Sequence, residues 1–196
     1  MEQLNDKVVD FLFEAGMLAR TPRSYFNLLG NGKQSVAEHI NRVCYLGFVL
    51  AKMAKEVDEF AILKMCLFHD FTEARISDLN YVHQKYTSRD EQKALEDLTV
   101  ELPFGGEIKN VIKTYKQLEN KEALLVKDAD NLELLLSLKE QLDFGNEKAK
   151  SWIQVVLGRL GTKEGKLLAE KIVQTDSDHW WFADKADQWW VTRNKE

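Results

Sequence analysis

Apolar and polar positions alternate along the chain in the rhythm of consecutive amphipathic helices. Leu4, Val8, Phe11, Leu12 and Ala15 recur at helical spacing over residues 3–18, and Arg20-Thr21-Pro22-Arg23 ends that run. A loop through Gly30 and Gly32 leads to Ser35-Val36-Ala37-Glu38, a capping-box sequence that predicts a helix starting at Ser35, with His39 in its first turn. Over residues 59–73, Ile62, Leu63, Met65, Cys66, Leu67 and Phe68 cover most of the helical circumference, which predicts a buried helix with His69-Asp70 near its end. After a loop around Ser77-Asp78, Ser88-Arg89-Asp90-Glu91 repeats the capping-box pattern and opens a helix that Pro103 and Gly105-Gly106 close. Residues 121–142 are leucine-rich on almost every side and belong in the middle of the fold. Two further amphipathic stretches, 147–160 and 164–174, precede an aromatic tail containing Trp180-Trp181-Phe182 and Trp189-Trp190, whose expected use is packing against the body or a second copy. No segment sustains the period-two alternation of a half-buried strand, so the predicted fold class is all-α.

Length and charge narrow this picture. At 196 residues, 44% of them hydrophobic, the chain can bury one good core, and no Pro/Gly cluster marks a linker, so residues 1–196 read as one domain. A net charge of −5 gives no support to the broad basic face that a nucleic-acid polymer needs. The N-terminus lacks the pattern of a signal peptide, and no apolar run reaches membrane-spanning length. Cys44 and Cys66 sit in apolar helical patterns without a C-x-x-C context, as reduced packing residues do. These features predict a cytoplasmic protein without a membrane partner.

Acids and histidines inside the most apolar helices need a chemical reason, because charged groups are seldom buried unless they are paired or bind metal. Asp70 and Asp130 are such residues. Asp130 interrupts a mainly apolar face formed with Ala123, Val126, Leu134 and Leu138, and Glu133 projects on the same side. Asp128 points to the opposite face, which is also leucine-rich, so periodicity alone does not choose between the two aspartates. His69 and Asp70, about 100° apart on a helix, can reach one ion beside the helix end. His39 and an aspartate from the central helix complete a mixed nitrogen and oxygen set. Such a set suits one divalent ion (Mn²⁺, Fe²⁺, Co²⁺, Zn²⁺ or Mg²⁺) better than a closed thiolate zinc site. A lone His-Asp dipeptide would be weak support for this.

Five ordered pieces strengthen it: Leu18-Ala19-Arg20-Thr21-Pro22-Arg23, Ser35-Val36-Ala37-Glu38-His39, Phe68-His69-Asp70-Phe71-Thr72-Glu73, Ser77-Asp78 and Val126-Lys127-Asp128-Ala129-Asp130. In this order, over residues 10–140, the chain resembles the HD-domain superfamily of metal-dependent phosphohydrolases. The nearest resemblance is to the HD-domain 5′-deoxynucleotidase family, the HD-domain-containing protein 2 type. The resemblance implies a single HD-domain helical bundle with His39, His69, Asp70 and Asp130 as metal ligands, which decides between the aspartates. It casts Glu73, with Asp70, as catalytic. It implies that Arg20 contacts the 5′-phosphate, with Arg23 a further candidate, and that Asp78 reads the 3′-hydroxyl. Thr21 stands where some members carry a tryptophan that helps exclude ribonucleotides, so weaker sugar discrimination is expected. The implied activity is hydrolysis of (deoxy)nucleoside 5′-monophosphates by a homodimer. A nucleoside triphosphate triphosphohydrolase using the same site, or a non-catalytic scaffold, is the alternative. His83 and His179 carry no assigned role.

Overall fold

The computed structural model describes residues 6–193. Its helices are α1 (Asp6–Ala15), α2 (Phe26–Leu29), α3 (Val36–Met53), α4 (Glu59–Phe68), α5 (Glu73–Ile76), α6 (His83–Tyr86), α7 (Glu91–Thr99), α8 (Gly105–Gln117), α9 (Lys121–Asp143), α10 (Lys148–Leu157), α11 (Lys163–Gln174), α12 (His179–Phe182) and α13 (Gln188–Thr192). A short 3₁₀ helix, Gly16–Ala19, follows α1. Among the described residues the only β pairing is an isolated antiparallel bridge between Pro22 and Ser35. The expected all-α class is what the chain adopts.

The centre of the fold is α9, for the reason its composition suggests. Leu125, Leu132, Leu135 and Leu138 are fully enclosed, packed with Val43 and Leu50 of α3, Ile62 and Cys66 of α4, and Ile153 and Val156 of α10. Truncating Leu132 or Leu135 to alanine is expected to cost about 2–5 kcal/mol, since such sites relax only partly around the lost volume. Gly47 lets α3 and α4 approach closely, because a Cβ there would run into the Cys66 sulfur. Smaller clusters beside this core bring α1, the 3₁₀ helix and α7 against Phe71 and α8 against Leu95.

Local chemistry sets the helix ends, and not always where periodicity places them. The capping box at Ser35 is complete: the serine hydroxyl accepts from the Glu38 amide while the Glu38 carboxylate accepts from the Ser35 amide at 2.6 Å. At the second candidate box, Asp90 rather than Ser88 caps the helix, accepting from the Lys93 amide. The Gly105-Gly106 pair opens α8 instead of closing α7. The helix expected over 59–73 stops at Phe68, and the next residues wind through i→i+3 bonds (Phe71 to Phe68, Glu73 to Asp70) into α5. Residues 3–5 of the first predicted helix lie outside the described residues.

Asp128 has a structural task. Its carboxylate is buried and accepts from the Gly161 amide at 2.9 Å, the Thr162 amide at 2.8 Å and the Thr162 hydroxyl at 2.6 Å, fastening the entry to α11 onto α9. Gly165 leaves the space that this carboxylate fills. Asp128→Asn turns an amide donor toward these N–H groups, so it is expected to destabilise the fold by about 1–3 kcal/mol. At about 2–4 °C per kcal/mol for a chain of this size, thermal denaturation reads this directly. Metal bound per folded molecule stays unchanged. Loss of metal without loss of stability would instead move the ligand assignment to Asp128.

Candidate metal and phosphate site

Four pieces of chain converge on one point: the first turn of α3, the turn after α4, the middle of α9 and the loop before α2. His39 and His69 are buried, with Nε2 atoms 3.2 Å apart. Asp70 Oδ2 lies 3.2 Å from His69 Nε2 and 3.4 Å from His39 Nε2, and Asp130 Oδ1 lies 3.4 Å from His39 Nε2. His39, His69 and Asp70 form the mutually close group, and Asp130 adjoins it from the His39 side.

The partners on the far sides of the imidazoles decide what the near sides offer. His69 Nδ1 faces the Cys66 carbonyl at 2.8 Å, and a carbonyl only accepts, so Nδ1 carries the proton and Nε2 a lone pair. His39 Nδ1 faces Glu133 Oε2 at 2.7 Å, which assigns the same tautomer. Glu133 is itself fully buried and held by Arg42 (2.8 Å), Gln34 (2.7 Å) and Ser137 (3.2 Å). Burial alone would raise its pKa, but His39 and Arg42 hold it down at about 2, so it stays ionised. Two nitrogen lone pairs and two carboxylates therefore face one another with no hydrogen between them. Ligand atoms about 2.1 Å from one ion sit about 3.0–3.4 Å apart, the spacing found among His39, His69 and Asp70. His39, His69 and Asp70 fit a single divalent cation. Without one, the electrostatics demand a proton: burial and Arg23 oppose charge on His39, yet Asp130, Asp70 and Glu133 raise its pKa well above the ordinary range.

A polar cavity of 330 Å³ opens beside this cluster, lined by Arg23, Tyr25, Asp70, Glu73, Asp78 and Asp130 among others. Arg23 donates from its terminal Nη1 to Asp70 Oδ2 at 3.3 Å, while its buried Nε ion-pairs with Asp78 Oδ2 at 3.6 Å, longer than a hydrogen bond. Glu73 Oε2 is likewise buried and unpartnered. Burial, then the negative charges of Asp70 and Asp78, push the Glu73 carboxyl up to about 9, which keeps it protonated at neutral pH. A divalent ion held by Asp70 would offset part of that negative field and bring the value down. Asp78 accepts from the Ser24 amide at 2.9 Å, tying the Arg23 loop to the turn after α5. Just before it, Ser77 sits at φ +61°, a backbone state costing a non-glycine residue on the order of 1–3 kcal/mol, and its carbonyl accepts from Arg89.

The fold does not bring Arg20 and Thr21 to this cavity. Arg20 ends the 3₁₀ helix and is exposed; Thr21 is buried, its hydroxyl donating to the Met17 carbonyl. Both line a separate surface depression with Lys33 and Gln34. The Pro22–Ser35 bridge then carries the chain inward, so Arg23 is the arginine that arrives at the ligands, and Tyr25 rather than Thr21 forms the wall. His83 and His179 are exposed and lie apart from the cluster. The residues that sequence reasoning left without a role are Tyr25, Arg42, Arg89, Lys127, Glu133 and Arg159. Only Glu133 carried a signal, its position on the same helical side as Asp130. Lys127 donates to Asp130 Oδ2 at 2.9 Å.

An HD-domain family profile matches residues 15–172. The chain belongs to the HD-domain superfamily of metal-dependent phosphohydrolases, and its buried His39 and His69 form with Asp70 a cluster able to hold a metal ion. It is similar to the 5′-deoxynucleotidase HDDC2 of Dictyostelium discoideum, 34% identical over 119 residues that span 55% of this chain and 62%, less than two thirds, of that protein. It is also similar to the 5′-deoxynucleotidase hdd1 of Schizosaccharomyces pombe, 26% identical over 94% of this chain and 93% of the relative. Among solved structures, a conserved hypothetical protein from Pyrococcus furiosus superimposes with a TM-score of 0.75 at 29% identity, covering 85% of this chain and 99% of that one.

Proposed function

We propose that this protein is a metal-dependent 5′-nucleotidase that hydrolyses (deoxy)nucleoside 5′-monophosphates to nucleoside and phosphate. The observation that carries the reading is the buried, unpartnered Glu73 Oε2 together with the Arg23 guanidinium, whose Nε has only the longer Asp78 ion pair at 3.6 Å, beside a cluster of metal-type ligands. Buried polar atoms are rarely left without partners, so Glu73 Oε2 calls for a polar ligand, and the Arg23 Nε–H can shorten its contacts onto an anionic one. The 5′-deoxynucleotidase names of the relatives support a nucleotide as that ligand.

In this reading His39, His69, Asp70 and Asp130 hold one divalent ion, which supplies charge neutralisation at phosphate oxygens and an acidified water. Arg23 binds the phosphate with planar donors of fixed geometry. Glu73 handles the proton that the leaving alkoxide must gain, its raised pKa suiting a general acid. Asp78 faces the sugar. The substrate is a small molecule rather than a polymer, a reading supported by the net charge of −5, and the resemblance implies a cytoplasmic homodimer; among the described residues no helix is long and apolar enough to cross a membrane.

Arg23→Ala is expected to lower kcat/KM by about 10- to 150-fold, the worth of hydrogen bonds to a charged group, whereas Arg20→Ala stays near wild type. Steady-state kinetics on both variants checks this, and the reverse order would return the phosphate to Arg20. The reading as a whole is tested by phosphate release across ribo- and deoxyribonucleoside mono-, di- and triphosphates with each candidate metal. Phosphate from monophosphates supports it. Tripolyphosphate from triphosphates makes the protein a triphosphohydrolase, and inactivity throughout returns the scaffold reading.

A further inference from the structure

The polar cavity is lined mainly by charged and amide side chains, and its apolar surface, Leu134 and Tyr81 among it, continues into a neighbouring space. Next to it is a second cleft of 210 Å³, lined by Tyr81, Leu134, Trp152, Val155, Val156 and Arg159. Tyr81, Leu134 and Arg159 line both, so the two spaces adjoin along these side chains. The polar cavity alone is at the lower end of the ~300–1,000 Å³ usual for a whole small-molecule site. We infer that the Tyr81–Trp152 cleft is the nucleobase subsite and that it grips the base by its face rather than by its edge. This rests on the nucleotide reading above.

Three observations carry it. First, the cleft has a buried apolar floor, Leu134 and Val156, and aromatic sides: the Tyr81 and Trp152 rings meet edge to face with centroids 6.3 Å apart. Second, its rim is open: Tyr81 is 40% and Val155 58% exposed, so apolar surface is left for a flat group to cover. Third, Arg159 is pinned at the boundary between the two spaces. Its guanidinium lies 5.2 Å from the Tyr81 ring centroid and donates to the Tyr81 hydroxyl at 2.8 Å, which presents a further planar cationic surface. Besides backbone, the cleft's polar atoms are the Tyr81 hydroxyl, the Trp152 indole N–H and that guanidinium. None forms a paired donor and acceptor set that would read one base edge. Every base has a π face, so the subsite accepts all of them, with purines favoured over pyrimidines by their larger stacking area.

The test compares deoxyadenosine 5′-monophosphate with 2-deoxyribose 5-phosphate, which lacks only the base. Stacking of a base on aromatic side chains is worth about 5- to 150-fold, so the wild-type protein should prefer the nucleotide by that factor in kcat/KM. Val155→Trp fills the cleft from its rim and Trp152→Ala removes a side, the first guarding against misfolding in the second. Both should bring the ratio toward one, mainly through KM, and weaken equilibrium binding of deoxyadenosine monophosphate by a similar factor. A ratio unchanged in both variants, or an equal loss on both substrates, overturns the assignment. If neither compound is hydrolysed but nucleotide binding still weakens in Val155→Trp, the base cleft stands and the hydrolytic reading falls. Normal hydrolysis with an untouched ratio has the opposite meaning.

Discussion

Glu73→Gln should lower kcat by about 10²–10⁴-fold while metal content and nucleotide affinity survive, because the amide keeps the size and hydrogen-bonding capacity of the acid but exchanges no proton. Glu73 begins α5, just past the turn that carries Asp70, and is not among the mutually close ligand group. Its buried, unpartnered Oε2 and a carboxyl that burial and the charges of Asp70 and Asp78 push upward are properties of a group kept for proton transfer. Bound metal, equilibrium nucleotide binding and single-turnover phosphate release on one preparation separate the possibilities. A variant that loses its metal makes Glu73 a ligand or ligand support. One with near-normal turnover makes it an ordinary buried acid.

Asp130→Asn should remove metal and activity together, and Glu133→Gln should weaken metal binding by about 10–100-fold without touching the ion's inner ligands. The two act differently. Asp130 offers an anionic oxygen 3.4 Å from His39 Nε2, and an amide in its place attracts a cation far less. Glu133 fixes the tautomer: its carboxylate accepts from His39 Nδ1 at 2.7 Å, and an amide nitrogen turned toward that ring would favour the wrong lone pair. Metal titration by calorimetry at fixed pH distinguishes a lost site from a weakened one. Full metal affinity in Asp130→Asn would falsify its place in the ligand set, and full affinity in Glu133→Gln would show that His39 needs no orienting partner.

Much of this architecture is legible in residue order because it rests on short-range rules. Helical periodicity located α3, α9, α10 and α11, and the Ser35 capping box set the start of α3 and hence the place of His39. A helix with leucines on almost every side, as α9 has, belongs at the centre whatever packs on it. The run over 59–73 was overextended because apolar periodicity does not register where backbone bonds change from i→i+4 to i→i+3, as they do after Phe68. Gly105-Gly106 was read as a stop and is a start, since glycine relaxes the backbone at either end of a helix.

The site shows where residue order stops being informative. That His39, His69 and Asp70 form one cluster followed from motif order, and burial of charge supplied the physical reason. Which arginine reaches the cavity did not follow: Arg20 and Arg23 are three residues apart with equal chemistry, and the Pro22–Ser35 bridge selects between them. Asp128 and Asp130 were ambiguous for the same reason, as both interrupt apolar faces of one helix. The tertiary structure turns Asp128 to the entry of α11, 33 and 34 residues on, and Asp130 to His39, a distant segment in each case. Arg159 and Trp152 carry no local pattern at all; they gain meaning only because α10 packs beside the loop that holds Tyr81. Residue order determined the helices and the kinds of chemistry available, through periodicity, capping and the cost of buried charge. Partnership between distant side chains is set by how the helices pack, and that is a property of the assembled core.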